Sequence, residues 1–181
     1  MKFTDRLLQK WRISKARPYV PHGARVLDIG CANGEFYFQV PDITEYVGID
    51  PGIECSVHRG GFHLFKGCFP AALPDDRPFD TIVMLAALEH IPPTEHPELA
   101  AGCARLLKPG GRLVLTVPSP LVDHILAVLC FLRLADGIAI EQHHGYDARR
   151  TPDVFSAAGL TLVRWKWFQL GLNNLFVFQK V

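Results

Sequence analysis

Short apolar runs alternate with amphipathic segments along this chain, in the order expected for the strands and helices of one sheet. The runs predicted to be buried strands are 25–29, 45–50, 62–66, 80–86 and 112–117, followed by 160–168 and 173–179. Helical periodicity predicts helices over 3–17, 33–40, 94–107 and 121–135. A last helix is predicted to begin at Thr151, with Pro152 at its first position, and to end at Gly159. Strands that alternate with helices favour right-handed crossovers and a doubly wound α/β fold.

The pattern contains no linker and no internal repeat, so we expect a single domain over 1–181. Within it, an N-terminal helix occupies 1–20, and 119–150 is predicted to be a lid or substrate insertion. The helix at 121–135 is unusually apolar, which suits either a core helix or a cover over an apolar substrate. Only a short turn joins the last two strands, which predicts an antiparallel pair.

Composition narrows the class of protein but does not select a partner. Apolar residues make up 49% and charged residues 20%, with a net charge of +1, which gives no global argument for nucleic acid or membrane binding. Five scattered cysteines lack any C-x-x-C pair, which argues against a disulfide framework and favours a reducing, cytoplasmic location. No apolar run is long enough for a transmembrane span.

Basic residues crowd the first helix, where Lys2, Arg6 and Lys10 recur every four residues. This spacing suits a solvated surface. It also leaves open a lid helix that attracts an anionic substrate, or a peripheral contact with a membrane surface.

The most informative stretch is 26–36, in which a predicted strand is followed by a turn of small residues and the start of a helix. Gly30, Ala32 and Gly34 keep this turn free of bulk, so that a ligand can approach the backbone amides. Asp50 ends the next strand about 20 residues later, the spacing of an acid that accepts ribose hydroxyls. These features predict a nucleotide-like cofactor.

Four segments in order resemble the class I S-adenosylmethionine-dependent methyltransferases, and the resemblance covers nearly the whole chain. They are the glycine motif at 26–34, the ribose-binding strand at 47–50, the fourth-strand motif at 79–91 and the helix-to-strand motif at 106–113. The resemblance implies an enzyme with a Rossmann-like, seven-stranded mixed sheet whose last strand is antiparallel. It also implies S-adenosyl-L-methionine as cofactor, with S-adenosyl-L-homocysteine as product.

The resemblance also implies roles for individual residues. Asp28 and Gly30 would hold the methionine end of the cofactor, and Asp50 would accept the ribose hydroxyls. Cys68 stands where the family commonly has an aspartate for the adenine amine, and a thiol is a weak acceptor. The cofactor-binding residues implied in this way are Asp28, Gly30, Cys31, Ala32, Asn33, Gly34, Asp50, Pro51, Gly52, Cys68, Phe69, Leu85, Ala86 and Ala87.

Three histidines are the candidate catalytic residues, because a hydroxyl acceptor needs a base that titrates near neutrality. His90 follows the fourth strand, and His143 and His144 lie in the polar loop before the last helix. A metal site formed by Glu89, His90 and one of the loop histidines would be incomplete, since Ala86 stands where some relatives have a glutamate. We therefore predict no metal.

The leading hypothesis is a methyltransferase that acts on a small-molecule acceptor, on oxygen, with an apolar or lipid-linked character suggested by the helix at 121–135. The alternatives are a non-catalytic cofactor-binding relative, a nucleic-acid or protein methyltransferase, and an NAD-dependent dehydrogenase. The dehydrogenase fits worse because the third glycine of G-x-G-x-x-G would fall at Glu35. No strong nucleic-acid signal is present, and both a monomer and a homodimer remain open.

Overall fold

The computed structural model describes residues 3–74, 76–119 and 146–181, and it gives side chains from residue 6 onward. These residues form one mixed sheet with helices on both faces. The strands are β1 (Ala24–Ile29), β2 (Ile43–Asp50), β3 (Val57–Arg59), β4 (Phe62–Lys66), β5 (Phe79–Leu85), β6 (Leu107–Pro118), β7 (Leu160–Phe168) and β8 (Asn173–Lys180). The helices are α1 (Phe3–Ala16), α2 (Glu35–Gln39), α3 (His96–Leu106) and α4 (Thr151–Ala157).

The strand order is β3-β4-β2-β1-β5-β6-β8-β7. The neighbours from β4 to β6 are parallel, whereas β8 is antiparallel to both β6 and β7. This confirms the predicted α/β class and the antiparallel strand near the end of the chain. The expected count of seven strands differs from the eight described, because the short β3 pairs antiparallel with β4 at the sheet edge. A run of only three residues, with one apolar position at Val57, has too little alternation to be recognised as a strand.

Strand β1 lies at the centre of the sheet and is buried at every position, as is usual for a parallel strand covered on both faces. On one face, Leu27 and Ile82 pack with Leu99 of α3 and Phe155 of α4. On the other face, Val26 packs with Ile13 of α1 and Phe36 of α2. The two hydrophobic layers hold β1, β2 and β5 in register, so that their carboxyl ends meet at one edge.

The loops that follow β1, β2 and β5 all leave from this carboxyl edge, which is the edge where open α/β sheets bind ligands. The proposed insertion at 119–150 lies mostly outside the described residues. In the described ranges, no helix is both long and apolar enough to cross a membrane.

Candidate functional site

The glycine turn after β1 brings the backbone of β1 against the loop after β5. Gly30 has a φ of +77°, and its N–H donates to the carbonyl oxygen of Ile49 at 2.9 Å. A Cβ atom added to Gly30 would lie 2.5 Å from the Cβ of Ala87, closer than two such atoms can approach. Position 30 therefore requires glycine for both its φ angle and its space.

Asp50 ties the end of β2 to this turn. Its Oδ2 accepts a hydrogen bond from the N–H of Ala32 at 2.9 Å, and its Oδ1 accepts one from the N–H of Gly52 at 2.7 Å. Each carboxylate oxygen keeps a second lone pair, so the group can still accept two hydroxyl donors. The backbone fixes the orientation of this carboxylate before any ligand arrives.

Asp28, in β1, is only 5% exposed, and it accepts a 2.6 Å hydrogen bond at Oδ2 from the hydroxyl of Tyr46. Burial raises the pKa of Asp28 to about 7, and the nearby charge of Asp50 adds to the rise, although the bond from Tyr46 opposes it. Burial likewise raises the pKa of the Cys31 thiol, with Asp28 and Asp50 adding to that rise. Cys31 is therefore a neutral thiol, not a nucleophilic thiolate.

Two cavities open at this edge of the sheet, one on each side of the glycine turn. The larger has a volume of about 410 Å³ and the smaller about 240 Å³. Gly30 and Ala86 line both of them. The two cavities therefore adjoin at these two small residues.

The structure brings together most of the residues predicted to bind a cofactor. The larger cavity is lined by Asp50, Pro51, Cys68, Phe69 and Ala87, and the smaller by Asp28, Cys31, Ala32 and Leu85. Asn33, Gly34 and Gly52 lie in the adjoining turns, where Gly34 has a φ of +75° and precedes α2.

The smaller cavity also contains side chains that the sequence did not identify. Gln9 and Arg12 reach it from α1, and Glu35 reaches it from the first turn of α2. One basic residue, Arg12, and two acidic residues, Asp28 and Glu35, therefore line this cavity. The basic spacing along the first helix was the only signal for Arg12, and it does not show which basic residue faces inward.

Of the three candidate catalytic histidines, the structure describes His90. It ends a short 3-10 helix after β5, lines the larger cavity beside Ile91 and Pro92, and is exposed. His143 and His144 lie outside the described residues. Among the described side chains, no group of three or more His, Cys, Asp or Glu residues is arranged to hold a metal ion.

The sequence profile of the family described as "Methyltransferase domain" matches residues 2–164. The chain is 31% identical over 134 residues to a ubiquinone biosynthesis O-methyltransferase of Xylella fastidiosa, covering 65% of this chain and 50% of that protein. It is 35% identical over 114 residues to the 27-O-demethylrifamycin SV methyltransferase of Amycolatopsis mediterranei, covering 54% and 41%.

Among solved structures, a SAM-dependent methyltransferase from Archaeoglobus fulgidus superposes with a TM-score of 0.74 at 20% identity. That match covers 97% of this chain and 94% of the other. The likeness shows that the two chains share a fold. The chain spans about half the length of the curated relatives that it matches.

Proposed function

Because the chain belongs to the class I S-adenosylmethionine-dependent methyltransferases, we propose that it transfers a methyl group from this cofactor to an oxygen atom of a small, largely apolar acceptor. The observation that carries the proposal is the pair of cavities that meet at Gly30 and Ala86. The cofactor consists of an adenosine and an amino acid joined at a positively charged sulfur. It needs two compartments of different polarity with a narrow junction.

The larger cavity suits the adenosine half. Asp50 offers two fixed acceptor oxygens for the ribose hydroxyls, and Pro51 and Phe69 offer apolar surface for the flat base. Cys68 also lines this cavity, but its thiol is a weak acceptor. Recognition of adenine would therefore rest on shape and apolar contact more than on the side chain at position 68.

The smaller cavity suits the amino acid half, which carries one ammonium and one carboxylate group. Asp28 would attract the ammonium, and Arg12 would bind the carboxylate in the planar, two-point manner of guanidinium groups. The compartment therefore offers an acidic side chain to the ammonium and a basic side chain to the carboxylate of the amino acid half.

The junction between the cavities is built from small and apolar residues. Leu85 ends β5 and Ala86 follows it. The N–H of Ala86 donates to the carbonyl oxygen of Thr116 at 3.0 Å, which fixes this loop to β6. When bound, S-adenosylmethionine supplies an electrophilic methyl group that needs no further activation. The protein therefore has to align the acceptor and exclude water from the junction.

The acceptor would approach from the side of the larger cavity where His90, Ile91 and Pro92 lie. The two apolar residues favour an apolar acceptor, and His90 would remove the proton of a hydroxyl group. The names of the relatives support oxygen as the target, since one is an O-methyltransferase and another is named for a 27-O-demethyl substrate. His143 and His144 remain proposed as further acceptor-facing residues.

The proposal is tested with methyl-labelled S-adenosylmethionine and a panel of phenols, alcohols, amines, thiols, tRNA and unfractionated protein. We expect label in apolar phenols or alcohols. We also expect His90→Gln to lower kcat by roughly 10²- to 10⁴-fold without changing the affinity for S-adenosylhomocysteine. His22→Gln is the matched control, because His22 is an exposed histidine before β1, paired with Asp42.

Several outcomes would contradict the proposal. Label in amines, tRNA or protein alone would refute an oxygen-bearing small-molecule acceptor. Cofactor binding with no transfer to any acceptor would favour a non-catalytic relative. An unchanged kcat in His90→Gln would remove this residue from the base role.

A further inference from the structure

Helix α1 carries a second apolar stripe that the fold does not use. Its inner side packs on the sheet through Ile13 and Ala16, which are 3% and 0% exposed. Leu7, Leu8 and Trp11 are instead 56%, 39% and 41% exposed. At 100° per residue these three side chains lie opposite Ile13, so they do not contribute to the core.

The turn between β7 and β8 extends this stripe. Leu170, at the tip of the turn, is 98% exposed. The side-chain amide of Gln169 donates to the carbonyl oxygen of Leu8 at 3.5 Å, which places the turn beside α1. Leu7, Leu8, Trp11 and Leu170 together form one surface, which we call the docking patch.

Basic residues are frequent in the helix that carries the docking patch, although the net charge of the chain is only +1. Residues 3–17 contain one acidic residue, Asp5, and five basic residues: Arg6, Lys10, Lys15, Arg17 and Arg12, the last of which lines the smaller cavity. Arg164 and Lys166 of β7 are also exposed, and they pair in register with Val177 and Leu175, which lie on the sheet face that α1 covers. Positive charge is therefore concentrated on this side of the molecule.

We propose that the docking patch binds the surface of an anionic lipid bilayer. Leucine and tryptophan side chains that project beside lysines and arginines are the combination by which a surface helix enters the lipid headgroup region. A nucleic acid would match the charges but not the leucines. In a symmetric dimer through this patch, the same basic side chains would face each other across the axis.

This docking goes beyond the proposed function, because binding to vesicles requires neither cofactor nor turnover. Docking would also bring the cofactor cavities near the lipid, because Gln9 and Arg12 of the same helix line the smaller cavity. A bilayer that holds α1 would lie close to the cofactor cavities. An acceptor dissolved in the lipid could then reach the site without crossing water.

The test is co-sedimentation of the full chain with vesicles. The vesicles contain either phosphatidylcholine alone or equal parts of phosphatidylcholine and phosphatidylglycerol, each at 50 and 500 mM salt. We expect binding to the anionic vesicles, at least tenfold weaker binding to the neutral ones, and weakening by salt. Lys10→Gln and Lys15→Gln should each weaken binding roughly fivefold.

Leu170→Ser separates lipid insertion from charge attraction, and it leaves the core intact because the side chain is exposed. We expect it to weaken binding to anionic vesicles roughly fivefold at both salt concentrations. The matched controls are Val163→Ser, at an exposed apolar position of β7, and Arg59→Gln, on the far edge strand β3. Both should bind vesicles as the unmodified chain does.

Absence of binding to the anionic vesicles would overturn the proposal, as would equal losses in the patch and control variants. Binding to an oligonucleotide that Lys10→Gln weakens and Leu170→Ser does not, without vesicle binding, would identify a nucleic-acid surface instead. A dimer in size-exclusion chromatography that Leu170→Ser dissociates would identify a self-association surface.

Discussion

Asp28 couples the stability of the ligand-free protein to pH, and Asp28→Asn is the change that isolates this coupling. The carboxyl group is buried beneath the glycine turn, and its pKa is raised from 3.8 to about 7. Asparagine has nearly the same shape, cannot ionise, and keeps an oxygen that can accept the bond from Tyr46.

The magnitude follows from the pKa shift. Between about pH 4 and pH 7 the folded protein holds a proton on Asp28 that the unfolded chain has already lost. The free energy of unfolding therefore falls as pH rises through this window. One pKa unit corresponds to about 1.4 kcal/mol, so the ionised carboxylate costs the ligand-free fold on the order of 4 kcal/mol above pH 7.

The assay is urea unfolding of both proteins at several values between pH 4.5 and pH 8.5. We expect Asp28→Asn to gain stability relative to the unmodified chain as pH rises, with the gain complete just above pH 7. Other titrating groups are common to both proteins and cancel in the difference, as does any constant cost of the buried amide. A difference that does not change with pH would refute the shifted pKa of Asp28.

Three further predictions concern the turn and its acid. Gly30→Ala should lower the free energy of unfolding by ~1–3 kcal/mol more than Gly23→Ala does. Both glycines have a positive φ, but only at position 30 would the added Cβ meet a neighbouring side chain, at 2.5 Å. Equal losses in thermal unfolding would contradict this. Ala32→Gly should gain up to ~1 kcal/mol in urea unfolding, since Ala32 has a φ of +46°; a loss would show that this φ is not strained. Asp50→Asn should weaken the binding of S-adenosylhomocysteine, measured by calorimetry, by ~1–3 kcal/mol. Asp42→Asn, at an exposed position, should leave the affinity unchanged. Equal effects of the two variants would show that Asp50 does not bind the ribose.

The sequence was sufficient to predict the centre of the site, because the patterns that identify it are local. The turn at Gly30 is set by neighbouring residues, and Asp50 lies at a fixed distance along one βαβ unit. Both positions follow from the geometry of a strand whose carboxyl end leads through a tight turn into a helix. The strands β1, β2 and β5 were predicted for the same reason, since each is a short, mostly apolar segment next to one of these motifs.

Features that depend on long-range packing could not be predicted. Arg12 reaches the smaller cavity because Ile13 and Ala16 dock α1 on the sheet, and the helix pattern alone does not give that rotation. The raised pKa of Asp28 depends on burial beside Asp50, which is distant in sequence. The short β3 depends on its pairing with β4 more than on its own composition.

If the two cavities form one site for S-adenosylmethionine, the unmodified chain should bind its product S-adenosylhomocysteine. Isothermal titration with S-adenosylhomocysteine and, separately, with NAD tests this. We expect saturable binding of one S-adenosylhomocysteine per chain and no comparable binding of NAD. Clear binding of NAD with no response to S-adenosylhomocysteine would contradict it.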